Sequence, residues 1–226
     1  MAAALSLYRS TIGKKAIMAI TGVVLYGFVI IHMIGNLKIF EGAEGFNHYS
    51  HFLRVVGEPA LPAGTILWLI RIVLLVSLVL HVTAAIQLTR IDVAGRPEAY
   101  KKVRRKQANF ASLTLRYGGA AIFFFVVYHL MHFTIGSAHP SFIEGNPYNN
   151  VVVGFAGQPV IVGVYLLAVA ALGMHLYHGV WSALQTLGLN NRNNDRLFRG
   201  VAVLSGLGLF AGFATVPILV LLGVIA

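Results

Sequence analysis

Apolar and polar positions in this chain fall into long blocks rather than alternating at helix or strand period. Five apolar runs, at about 16–38, 66–90, 113–136, 159–186 and 200–225, are each long enough to cross a bilayer as a helix. Polar, glycine- and proline-containing stretches separate them. The pattern predicts an all-α integral membrane protein of five transmembrane helices, folded as a single domain over residues 1–226.

The connecting stretches differ in kind. Residues 1–15 read as a short amphipathic lead on the membrane surface, with Leu5, Leu7, Tyr8 and Ile12 set against Arg9, Lys14 and Lys15. They show no apolar core ahead of the basic residues, so they are not read as a cleavable signal. The plain reading is a basic stop to the first helix; partner docking or quinone contact by Arg9 and Ser10 is the sharper one. The loop after span one carries GAEGFNHYSHFLRVVGEPALPAG, in which Phe46, Tyr49, Phe52 and Leu53 have helical spacing and Pro59 and Pro62 punctuate the end. That predicts a short helix along the membrane face with His48 and His51 as interfacial histidines. The loop after span three, GSAHPSFIEGNPYNNVVVGFAGQP, is rich in Gly, Pro and Asn.

Composition sharpens the class. Hydrophobic residues make up 58% and charged residues 11%, with a mean hydropathy of +0.78, whereas a soluble domain carries about a quarter charged residues. The net charge of +10 suggests a nucleic-acid partner only until it is mapped. Fourteen of the seventeen basic residues fall on one side of the predicted spans, eight of them between Arg90 and Arg116. Lys38, Arg54 and Arg71 fall on the other side, among Glu41, Glu44, Glu58 and Glu144. By the positive-inside rule the N-terminus is cytoplasmic and the C-terminus outside. The charge encodes orientation, with anionic-lipid contact or docking of a soluble partner at the loop TRIDVAGRPEAYKKVRRKQ.

There is no cysteine. Disulfides, thiolate-bound clusters, thiolate-ligated haem and covalent haem attachment are thereby excluded from this chain. Histidine is the strong nitrogen ligand that remains. It stands inside four of the five runs: His32, His81, His129 with His132, and His175 with His178. An ionisable side chain within a membrane span is costly and marks a site by default.

Depth sorts these histidines. At about 1.5 Å per residue, His32 and His129 lie roughly 24 Å from the cytoplasmic edge, and His81 and His175 about 14–15 Å from it. An outer and an inner pair result, each drawn from two helices, as two bis-histidine haems stacked across the bilayer would need. With both axial positions filled, oxygen chemistry has no open site and electron transfer is the natural task. Spacing alone leaves His129 against His132 and His175 against His178 open, because residues three apart share a helix face. Arg71, a turn inside the outer end of span two, either snorkels or binds a haem propionate.

The stretches GFVIIHMIGNLKIFEGAEGFNHYSHF, VYHLMHFT and HLYHGVWSALQTLGL resemble the single-chain dihaem cytochrome b subunit of bacterial succinate dehydrogenases and fumarate reductases, over nearly the whole chain. The resemblance implies a five-span anchor in the cytoplasmic (inner) membrane, its first four helices bundled around two b haems. It also implies flavoprotein and iron–sulfur partners, and exchange of electrons with quinone, often menaquinone. Carried over, it implies His32 and His129 as ligands of the outer iron, and His81 and His175 of the inner one. His132, His178 and Arg71 are then expected beside the ligands or the propionates, and the quinone pocket is unassigned. The chain has no flavin-binding glycine fingerprint, so the dicarboxylate chemistry would belong to the partners. Two other readings remain: the cytochrome b of a formate dehydrogenase or hydrogenase, and a histidine-relay transporter. The latter calls for carboxylates within the spans, and none is found there.

Overall fold

The structure is a computed structural model that describes residues 10–95 and 110–226, with side chains described for all of these except 110–114. Its helices are α1 (Thr11–Leu37), α2 (Gly42–Val55), α3 (Thr65–Ala94), α4 (Phe110–Leu130), α5 (Pro147–Phe155), α6 (Pro159–Thr186) and α7 (Asp195–Leu221). Among the described residues there is no strand, and five helices are long and apolar enough to cross a membrane. The basic lead through Arg9 and most of the basic loop, residues 96–109, lie outside the described residues.

Local chemistry sets the ends. Ser10 caps α1, its Oγ accepting from the Gly13 N–H at 3.0 Å and satisfying one of the orphan donors of the first turn. Asn146 caps α5 by accepting from the Asn149 N–H, with Pro147 at the first helical position. Helix α4 passes into a wider π turn, Met131–Ile135, which ends at Gly136 with φ of 84°. Such π turns are rare and often occur at functional sites.

Lipid tails are as apolar as the side chains, so close packing and polar contacts rather than water exclusion hold such helices together. Helix α6 lies at the centre, packed against α7, α4 and α1, while α3 packs chiefly on α1. At the α6–α7 crossing the backbones meet. A Cβ on Gly173 would stand 2.9 Å from the Gly206 carbonyl oxygen, and one on Gly206 would stand 2.7 Å from that of Gly173. Tyr26 and Ser205 add a hydroxyl–hydroxyl bond of 2.6 Å between α1 and α7.

Both ends of the bundle are tied by polar side chains. At the α6–α7 turn, Asp195 accepts from Trp181 Nε1 (3.2 Å), Asn190 Nδ2 (2.9 Å) and Arg199 Nε (2.7 Å). At the other end α2 packs on α5, where Asn47 donates to Asn146 Oδ1 and accepts from the Tyr148 N–H. Outward-facing side chains such as Ile31, Trp68, Leu75, Phe124, Leu167 and Leu204 are exposed. This is the surface expected of a bundle whose solvent is lipid.

Candidate functional site

Each histidine is carried by a helix whose neighbours fix how far its ring can reach. Among the histidine-bearing helices, α1 packs closely on α3 and on α6, and α4 on α6. Those bearing the predicted pairs, α1 with α4 and α3 with α6, lie diagonally and pack little against each other. The histidine rings reach across these diagonals. His32 and His129 have ring centroids 5.8 Å apart at an interplanar angle of 82°. His81 and His175 are 6.2 Å apart at 62°.

That spacing can be tested against coordination chemistry. With a metal–imidazole bond of about 2 Å, two rings on opposite sides of one ion have centres roughly 6 Å apart. Both pairs fit. Among the described residues no group of three or more His, Cys, Asp or Glu converges at one point. Each pair therefore offers two imidazoles and no third ligand of these types among the described residues.

The inner pair has further features of a ligand site. The Met18 carbonyl lies 3.0 Å from His81 Nδ1. A carbonyl only accepts, so Nδ1 carries the proton and Nε2 presents its lone pair, the usual way in which a ligating histidine is oriented. Thr21 Oγ1 lies 3.4 Å from the same nitrogen. His175 Nδ1 is buried without a hydrogen-bond partner. Glycines face both rings: a Cβ at Gly22 would lie 3.3 Å from His81 Cε1, and one at Gly119 would lie 3.7 Å from His175 Cε1.

The outer pair sits in an aromatic shell. Phe28 stacks on His32 at 5.3 Å, Phe213 of α7 stands 5.9 Å from it, and Phe125 and Phe133 flank His129. His132 is fully buried, stacked on Tyr128 and 2.9 Å from the Tyr165 hydroxyl through Nδ1. The same hydroxyl lies 3.3 Å from His129 Nδ1.

The other singled-out residues lie elsewhere. His178 meets the Trp181 ring edge-on at 6.4 Å. Arg71 is exposed, with its guanidinium 4.9 Å from the Trp68 ring centre. His48 and His51 are exposed on α2. Sequence reasoning did not single out Tyr165, His139 or Met18. A tyrosine within an apolar run was the one available signal, since a buried hydroxyl seeks a partner. Compared with protein-family models, curated proteins and solved structures, the chain finds no match in any of the three.

Proposed function

We propose that this chain is the dihaem cytochrome b membrane anchor of a succinate:quinone oxidoreductase. One observation carries the reading: two histidine pairs, each spanning a diagonal of the helix bundle with ring centres 5.8 and 6.2 Å apart, near enough for both imidazoles of a pair to hold one iron. His32 and His129 would hold the outer haem iron, and His81 and His175 the inner one. Two b haems would supply one-electron carriers between a partner's iron–sulfur cluster and membrane quinone, taken as menaquinone. The chain's own residues hold the imidazoles, keep water from them with an apolar bundle, and set ligand basicity through bonds such as that from His81 to the Met18 carbonyl.

The sequence resemblance supports the choice of enzyme, with flavoprotein and iron–sulfur subunits on a basic cytoplasmic face and the dicarboxylate chemistry on them. On this reading the protein spans the cytoplasmic membrane with its N-terminus inside. Capture of the tagged chain from gently solubilised native membranes tests it. A flavoprotein and an iron–sulfur protein should come down with it, and should be strippable from inside-out but not right-side-out vesicles. Capture of a molybdenum or nickel subunit would assign the cytochrome to a different dehydrogenase.

A further inference from the structure

Tyr165 joins two histidines by hydrogen bonds, and a third histidine beside them is taken out of that network by its own carbonyl and amide partners. His139, in the segment between the π turn and α5, has its Nε2 2.8 Å from the Asn150 carbonyl and accepts from the Ser141 N–H at Nδ1, 3.0 Å. The carbonyl only accepts and the amide only donates, so both nitrogens of His139 are committed. Its ring nevertheless lies against His132, with centroids 5.1 Å apart. His139 therefore cannot serve His132 as a partner.

The Tyr165 hydroxyl stands within hydrogen-bond reach of two Nδ1 atoms, those of His129 and His132. A hydroxyl has one proton, so it donates to one ring and accepts from the other. A His129 that ligates iron through Nε2 must carry its proton on Nδ1, and so donates to Tyr165 Oη. The hydroxyl proton then points at His132 Nδ1, which places the proton of His132 on Nε2. That nitrogen is buried without a partner, on a side chain with 0% exposure. A buried N–H without an acceptor is costly and rare in folded proteins. The π turn Met131–Ile135 that carries His132 is independently the kind of distortion found at functional sites.

We propose that Tyr165 is the positioning residue of the outer ligand His129, and that its relay ends at His132 Nε2–H, a buried donor site for an acceptor oxygen. The oxygen is either a carboxylate of the outer cofactor or a carbonyl of a bound quinone. The inference rests on the dihaem reading above. It assigns Tyr165 two roles, fixing the tautomer of His129 and raising its basicity. A more basic imidazole favours the ferric state, so removing the hydroxyl raises the outer haem's midpoint potential.

Redox titration of the purified complex, read by absorbance and by the low-spin resonance of each haem, tests this in Tyr165→Phe and His132→Phe. Tyr165→Phe should keep both haems, raise the outer midpoint, shift the outer low-spin signal and leave the inner haem unchanged. Should it fail to assemble, His132→Phe decides, because losing the relay's second bond moves the outer midpoint in the same direction. Binding of a menaquinone analogue separates the two acceptors. If the acceptor is a quinone carbonyl, His132→Phe weakens binding about tenfold, the worth of one hydrogen bond. If it is a cofactor carboxylate, analogue affinity is unchanged and the outer midpoint moves further than in Tyr165→Phe. Unchanged midpoints and signals in Tyr165→Phe, or equal shifts of both haems, overturn the positioning role. Unchanged midpoint and affinity in His132→Phe overturn the donor site. Absence of haem from the unsubstituted protein defeats the underlying reading instead.

Discussion

His81 is oriented chiefly by backbone: the Met18 carbonyl accepts its Nδ1 proton and leaves Nε2 as the lone-pair nitrogen, with the His175 ring centre 6.2 Å away. On the proposed reading, loss of either ring would remove one ligand of the inner haem without touching the apolar surface that inserts the helices. His81→Ala or His175→Ala should therefore eliminate one of two haem signals while the chain still accumulates in the membrane. Retention of both haems in either variant would count against these ligands. The pairs were legible in the sequence because depth along a span is a linear count of residues. The choice within His129/His132 and His175/His178 was not, because partners three apart share a helix face. Packing separates them, bringing His129 to His32 and burying His132 against Tyr165. Tyr165 was not singled out, since its value depends on rings that only the tertiary fold supplies.

Helices α6 and α7 approach as closely as backbones allow, because Gly173 and Gly206 face each other with no side chain between them. A methyl group at either position must push the helices apart, since the atom it meets is backbone oxygen. Gly206→Ala should cost about 1–3 kcal/mol, the usual penalty of overpacking, seen as a lower thermal unfolding midpoint in detergent. Gly208→Ala, where a Cβ meets nothing within 4 Å, is the control and should change little. Equal midpoints for the two variants would show that the crossing does not govern stability. At this scale the spans were readable to within a few residues, because a bilayer demands a long apolar run from any helix that crosses it. The helix after span one was also readable, from the spacing of its aromatic residues. Helix α5 and the π turn were not. The first hides in a Gly-, Pro- and Asn-rich loop and is held by the side chains of Asn47 and Asn146. The second leaves no mark in an apolar pattern.

For the molecule as a whole, the arrangement of helices matters more than any single contact. The closely packed pairs place the four histidine-bearing helices so that the diagonals, not the edges, carry the facing rings. Glycines at 22 and 119 keep side chains away from the inner rings. The seventh helix carries no histidine; it closes the bundle and lends Phe213 to the outer shell. Binding of two b-type haems by this chain is tested by a reduced-minus-oxidised spectrum of the purified protein, with haem quantified per chain. Two haems per chain with b-type absorbance are expected; a single haem would mean that one pair is misassigned, and intact protein without haem would rule out both ligand pairs.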